Sequence, residues 1–189
     1  NFNLAGFHGY WFTDHYKIDK RYGGNDAYKS MINAAHKEGL KVIHDAVYNH
    51  IGLYHWINLD PPSKDWINQW PEFTGPNHRD AAIFDPYRSA ADNTNMLKGW
   101  FVRHLPDLNL ANPFVANYLI QNAIWLTEEF GIDGFRIDTY KYCDGDTPGI
   151  HPDEQVMSGW KLWQDKSCQT CHQLYGLGGY MGADLTNTV

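Results

Sequence analysis

Residues 111–141 read ANPFVANYLIQNAIWLTEEFGIDGFRIDTYK and contain one complete helix followed by one strand. Asn112 is a typical helix N-cap, and Pro113 is favoured at the first helical position. Apolar residues then recur every three or four positions until Gly131, a residue type that commonly ends a helix. The short run 132–137 that follows is mostly apolar and predicts a strand.

The same order of helix, glycine and strand occurs earlier in the chain. Asn25 or Asp26 can cap a helix that stops at Gly39, and residues 40–47 predict the strand after it. Because helices alternate with strands, we predict an α/β fold with a parallel sheet and helices on its faces.

The composition narrows the classes of function. The 189 residues carry a formal net charge of −7, so the basic surface that nucleic-acid binding requires is absent. No apolar run approaches the roughly 18 residues of a membrane-spanning helix. Aromatic residues make up 15% of the chain, which suits either stacking on sugar rings or an ordinary core of large side chains.

Polar side chains follow both predicted strands. Asp45, Asn49 and His50 belong to the first strand end, and Arg136 and Asp138 belong to the second. The carboxyl ends of strands are where a (β/α) barrel keeps its chemistry. Residues two apart on a strand share a face, and an arginine beside a carboxylate favours the charged form that a nucleophile needs. An ordinary ion pair is the alternative interpretation of Arg136 and Asp138.

Four stretches form an ordered set of motifs. They are HGYW with the DKRYG that follows it (8–23), DAVYNH (45–50), LPDLN (105–109) and GFRIDTYK (134–141). Together they resemble the α-amylase family of glycoside hydrolases, over residues 1–146. The resemblance implies a partial (β/α)8 TIM barrel that covers the region of the second to fourth strands. Residues 51–111 would be its inserted subdomain.

The resemblance also implies roles for single residues. Asp138 would be the nucleophile of a retaining glycosidase, and Arg136 would hold it in place and charged. Tyr10 would stack on the sugar ring in the subsite where cleavage occurs. The other residues that would contact sugars are Asp45, His50 and Lys141.

Substrate and metal follow from the same resemblance. The implied enzyme is an α-glucan hydrolase similar to an α-amylase, a neopullulanase or a cyclomaltodextrinase. Its substrate would be starch or a maltooligosaccharide. Asn49 and Asp107 match positions that bind calcium in many members of the family, where oxygen ligands meet.

A retaining glycosidase also needs a second carboxyl group as its general acid. None of the acidic residues after Asp138 ends an apolar strand pattern, so we expect the nucleophile to be present and the general acid to be missing. This chain would then be inactive by itself. A non-catalytic carbohydrate-binding remnant is the alternative.

The end of the sequence carries a different motif. Cys168, Cys171 and His172 form CxxCH, the attachment pattern of c-type haem, although two reduced cysteines or half of a metal-binding knuckle would look the same. Residues 158–189 resemble the start of a small, mainly helical c-type cytochrome, which implies electron transfer and an exported or periplasmic protein. We expect a junction at 147–157. A natural fusion and an artefact of sequence assembly both stay open, and the incomplete halves favour the artefact.

Overall fold

The structure is a computed structural model that describes residue 6 and residues 8–69, 73–75, 77–80, 87 and 89–143, with the backbone of 173–174 and 177–178. The chain divides into two compact units, Asn1–Asp144 and Gly145–Val189. The described helices are α1 (Gly24–Lys37), α2 (Trp56–Leu59), α3 (Ala90–Lys98) and α4 (Pro113–Phe130), with short 3₁₀ helices at Lys20–Tyr22, Lys64–Trp66 and Tyr140–Tyr142. The described strands are β1 (Ile43–Val47), β2 (Gly134–Asp138), β3 (Gln173–Leu174) and β4 (Leu177–Gly178).

Strands β1 and β2 pair in parallel, as the helix-strand alternation predicts. In their register Asp45 lies beside Arg136 and Val47 lies beside Asp138. Strand β1 begins three residues later than the predicted span 40–47 because the chain before it is bonded to Asp133. The Val42 amide donates to the Asp133 carboxylate at 2.8 Å, and the Asp133 amide donates to the Val42 carbonyl at 2.9 Å.

The start of helix α1 differs from the prediction. Neither Asn25 nor Asp26 is the N-cap, since the helix already begins at Gly24 after Gly23, which has φ 95°. The Asn25 side chain instead accepts the Ile18 amide at 2.8 Å, so it fixes the preceding loop. The end of the helix agrees with the prediction, because Gly39 has φ 76°, a conformation that favours glycine.

Helix α4 has the predicted bounds, and its two halves pack against different partners. Asn112 accepts the Phe114 amide at 2.9 Å, and Gly131 closes the helix with φ 73°. Val115 and Leu119 belong to the core of the 51–111 segment. The residues near the other end pack with helix α1 in a second core cluster, Ile32, Leu126, Phe130 and Ile132. Helix α4 therefore joins the sheet unit to the inserted segment.

Backbone hydrogen bonds tie the inserted segment to the end of β1. The Ile51 amide donates to the Pro106 carbonyl at 3.0 Å, and the Leu108 amide donates to the Asn49 carbonyl at 2.9 Å. The DAVYNH and LPDLN motifs are thus paired directly, with an antiparallel bridge between His50 and Asp107.

The predicted haem segment lies almost entirely outside the described residues. Its described part is the backbone of β3 and β4, which pair as a short antiparallel hairpin rather than the expected helix or irregular run. Among the described residues no helix is both long enough and apolar enough to span a membrane.

Candidate functional site

Arg136 links two carboxylates at the carboxyl end of the parallel strands. Its Nη1 donates to Asp45 Oδ1 at 2.8 Å and to Asp138 Oδ1 at 2.6 Å. The register explains this arrangement, because Asp45 pairs with Arg136 across the sheet and Asp138 is two positions further along β2. Asp45, Arg136 and Asp138 therefore lie in direct contact at one end of the two strands.

Tyr10 completes the cluster from the loop before α1. Its hydroxyl donates to Asp45 Oδ2 at 3.1 Å, so the two oxygens of Asp45 are shared between Tyr10 and Arg136. Burial, and then the bond to Asp45, raise the pKa of Tyr10. The phenol therefore stays protonated as a donor. We call Tyr10, Asp45, Arg136 and Asp138 the carboxylate cluster.

The carboxylate cluster lies at an open surface. The side chain of Asp138 is only 17% exposed, whereas those of Asp45 and Arg136 are 46% and 57% exposed. The hydrogen bonds to Asp45 and Asp138 raise the pKa of Arg136 above its usual range, so the guanidinium is a permanent positive charge. A cavity of about 860 Å³ opens beside Tyr10 and Asp45 and continues along the loop of residues 12–22.

His50 lies next to the cluster in sequence but is held by other residues. It is 3% exposed, and its ring packs edge-on against Phe101 with the centroids 5.7 Å apart. Both ring nitrogens are buried without a hydrogen-bond partner among the described residues. Burial lowers the pKa of His50 to about 4, so the ring is neutral at pH 7.

Asn49 and Asp107, the candidate calcium ligands, are in direct contact. The Asn49 amide donates to Asp107 Oδ1 at 3.0 Å, and the amide of Asn68 donates to Asp107 Oδ2 at 2.8 Å. Asn49 and Asp107 are each 2% exposed. No group of three or more His, Cys, Asp or Glu side chains within the described part of the chain could hold a metal ion.

Lys141 lies in the 3₁₀ helix Tyr140–Tyr142, and its side chain is outside the described set. Cys168, Cys171 and His172 also lie outside the described residues.

The sequence reasoning missed three contributors to this region. Asn68 shares Asp107 with Asn49, and Phe101 packs on His50, yet both lie in a stretch with little periodicity. His15 and His55 also contact each other, and they join the loop that carries Tyr10 (residues 8–19, called the tyrosine loop below) to the inserted segment. The sequence signal for the pair was weak: His15 directly follows Asp14 in the first motif stretch, but no spacing relates it to His55.

Comparison with known proteins gives a family match over most of the chain. The family model described as "Alpha amylase, catalytic domain" matches residues 3–175. This match runs past the expected junction at 147–157 and includes the CxxCH motif. A separate cytochrome-like segment therefore stays a prediction.

Curated relatives match the same part of the chain. It is 29% identical over 143 residues to the intracellular maltogenic amylase of Bacillus subtilis (strain 168), covering 76% of this chain and 23% of that protein. It is 33% identical over 146 residues to a cyclomaltodextrinase of Thermoanaerobacter pseudethanolicus, covering 72% of this chain and 23% of that protein. The chain thus spans about a quarter of the length of these relatives.

A solved structure agrees with the sequence relatives. The α-amylase of Geobacillus thermoleovorans, determined in complex with acarbose, aligns with a TM-score of 0.56 and 39% identity over 73% of this chain and 28% of that one. Its likeness supports a partial (β/α)8 barrel for the described residues. With the family model matching residues 3–175, the chain belongs to the α-amylase family and carries part of its catalytic domain.

Proposed function

We propose that the carboxylate cluster is the nucleophile side of the active site of a retaining α-glucan hydrolase. The observation that carries this proposal is the Arg136 guanidinium, which bonds to Asp45 and Asp138 together at the carboxyl end of two parallel strands. An isolated structural ion pair would not need a second carboxylate and a tyrosine hydroxyl in the same cluster.

Asp138 is the proposed nucleophile. Arg136 occupies its Oδ1, so Oδ2 is the oxygen that would attack the anomeric carbon and form the glycosyl-enzyme intermediate. The side chain is mostly buried, which fixes its position, and the single positive charge of Arg136 offsets one of the two negative charges of Asp45 and Asp138.

The neighbouring residues would hold the sugar. Tyr10 is anchored through its hydroxyl to Asp45, and its ring would stack on a pyranose. His50 carries two buried ring nitrogens without partners among the described residues, and a sugar hydroxyl that reached them would satisfy one. Lys141 would bind the sugar on the leaving side. The names of the relatives, a maltogenic amylase and a cyclomaltodextrinase, favour starch or maltooligosaccharides as substrates.

We propose that Asn49 and Asp107 bind calcium. The residue types suit calcium, because one buried carboxylate contacts two side-chain amides. Turning the amides of Asn49 and Asn68 would present oxygens, which are the ligands calcium takes. Bound there, calcium would tie the inserted segment to the end of β1, and no chemical step depends on it. A rise in melting temperature with calcium that is absent from Asp107→Asn would support this site, and equal melting curves with calcium and with EDTA would exclude it.

A reducing-sugar assay on starch with the 189-residue chain tests whether the nucleophile is present and the general acid is missing. We expect no turnover comparable to an amylase, because the chain lacks a recognisable proton donor and general acid–base catalysis alone supplies about 10²–10⁴-fold. An Asp138→Asn variant serves as the blank. Robust turnover that Asp138→Asn abolishes would contradict the missing general acid, and turnover that survives this substitution would contradict the nucleophile.

A second candidate rests on the CxxCH sequence alone. Cys168 and Cys171 would form thioethers to haem c, with His172 as an axial ligand, in an electron-transfer module of an exported or periplasmic protein. Expression with a haem-attachment system, followed by a haem stain of the denatured protein, tests this. Covalent haem in the native chain and none in the Cys168→Ala/Cys171→Ala variant would support it. An unstained native chain would remove it.

A further inference from the structure

His15 and His55 form a pair of imidazoles outside the carboxylate cluster, and His15 is only partly buried. His15 Nδ1 lies 3.1 Å from His55 Nε2, and the hydroxyl of Tyr118 lies 3.2 Å from the same His15 nitrogen. His55 is 0% exposed. Nothing in the proposed function uses either ring.

The hydrogen bonds of His55 define where its proton lies. His55 caps helix α2, and its Nδ1 accepts the Ile57 amide at 3.1 Å, so this nitrogen carries no proton. In the neutral ring the proton is therefore on Nε2, which donates to His15 Nδ1. His15 must then also carry its proton on Nε2. Both rings are neutral in this arrangement, and each acts as an acceptor at Nδ1.

A proton added to either ring puts a donor against a donor. On His55 it would face the Ile57 amide, and on His15 it would face His55 Nε2–H. Burial lowers the pKa of His55 to about 4, and burial followed by His55 itself lowers the pKa of His15. The titratable groups around the pair, from every element packed on it, are Asp14, Tyr16, Tyr48, His50 and Tyr118. The one carboxylate among them, Asp14, is bonded to Lys17 at 2.9 Å.

The pair joins three parts of the chain. His15 belongs to the loop that carries Tyr10, His55 opens the inserted segment, and Tyr118 lies on α4. Two backbone bonds run alongside it, from the Gly52 amide to the Phe12 carbonyl at 3.1 Å and from the Trp56 amide to the Thr13 carbonyl at 3.4 Å. Without the histidine contact, these amides and the packing of Trp11 on His104, with ring centroids 4.1 Å apart, would still link the loop to the inserted segment.

We propose that His15 and His55 form a proton-operated latch that holds the tyrosine loop on the inserted segment while both rings are neutral and releases it when they are protonated. Because the open form binds protons that the closed form excludes, opening increases as the pH falls below about 6.5. The increase is up to tenfold per pH unit for each histidine that is protonated only in the open form. The latch does not depend on the proposed glycosidase activity.

Amide hydrogen exchange of the 189-residue chain between pH 7.5 and 4.5 tests the latch. Protection factors, corrected for intrinsic exchange rates, are measured at the Gly52 and Trp56 amides. We expect protection to fall up to a hundredfold per pH unit below pH 6.5 in the native chain. In His55→Asn we expect it to fall at most tenfold per unit, since asparagine keeps the helix cap but cannot titrate. His44→Gln is the matched control, because His44 is also partly buried with a lowered pKa but bonds to Tyr28 instead. In His44→Gln the protection of the Gly52 and Trp56 amides should fall with pH as steeply as in the native chain.

Nitrogen NMR of the histidine rings gives a readout that needs no variant. At pH 7 we expect the Nε2–H tautomer for both His15 and His55. An Nδ1–H tautomer at His55, or protection at Gly52 and Trp56 that does not change between pH 7 and 5, would overturn the proposal. Amide protection that falls equally steeply with pH in the native chain and in His55→Asn would also overturn the proposal. If His55→Asn does not fold, the tautomers of His15 and His55 and the pH dependence of amide protection in the native chain test the proposal.

Discussion

Arg136 sets the electrostatics of the carboxylate cluster, because one guanidinium nitrogen contacts both acids. The pKa of Tyr10 depends on this arrangement, because its hydroxyl donates to Asp45 and the charges of Asp45, Asp138 and Arg136 act on it. Burial is the largest cause of the raised pKa of Tyr10. The charges of Asp45 and Asp138 raise this pKa and the charge of Arg136 lowers it, which makes the cluster testable by single substitutions.

We predict opposite shifts of the Tyr10 pKa in two variants. Asp45→Asn should lower it, because the lost negative charge no longer disfavours the phenolate. Arg136→Gln should raise it, because the lost positive charge no longer favours the phenolate. Carbon NMR of the Tyr10 ring through an alkaline titration measures both. Shifts of the same sign in the two variants would contradict the geometry described for the cluster.

Helix α4 depends on a local signal at its first turn. Asn112 caps the helix through the Phe114 amide and also donates to Asp65 of the inserted segment at 3.0 Å. Asn112→Ala should reduce the free energy of unfolding by about 1 kcal/mol or somewhat more, measured by urea denaturation. Asn117→Ala, at an exposed position of the same helix, is the control and should not destabilise. Equal stability of the two variants would show that the cap contributes nothing.

The contact between the tyrosine loop and the inserted segment depends on Gly52. A Cβ at this position would lie 2.6 Å from the carbonyl oxygens of Trp11 and Phe12, which are backbone atoms and cannot rotate away. We expect Gly52→Ala to cost about 1–3 kcal/mol of unfolding free energy. Gly134→Ala is the control, since a Cβ there meets nothing within 4 Å. Thermal denaturation of both variants measures the difference, and a Gly52→Ala protein as stable as Gly134→Ala would be inconsistent with the close approach.

Local sequence patterns predicted the elements better than they predicted the contacts. Helix α4 could be predicted because its cap Asn112, its first residue Pro113 and its terminal Gly131 are local signals in the sequence. The order of the strands and the convergence of Asp45, Arg136 and Asp138 followed from parallel pairing. Asn68 and the His15–His55 pair could not be predicted, because their partners are distant in sequence and no spacing relates them. The cap of α1 was assigned wrongly because Asn25 bonds to the preceding loop.

At the scale of the molecule, the two described core clusters lie between helices α1 and α4 and within the inserted segment. Ile32 is 0% exposed between α1 and α4, whereas Ile43 is 65% exposed on the face of β1 that also carries Asp45. Ile32→Ala should therefore cost about 2–5 kcal/mol in urea denaturation. Ile43→Ala should change stability by about 0.5 kcal/mol or less. Similar large losses in both variants would show that the cluster's face is buried in solution.

We expect the carboxylate cluster to bind an α-glucan. Titration of the isotope-labelled 189-residue chain with maltoheptaose, followed by amide NMR, tests it most directly. We predict saturable shifts at Tyr10, Asp45, Arg136 and Asp138, and much weaker ones with a cellooligosaccharide of equal length. Shifts confined to residues away from the cluster, or equal shifts with both sugars, would contradict it.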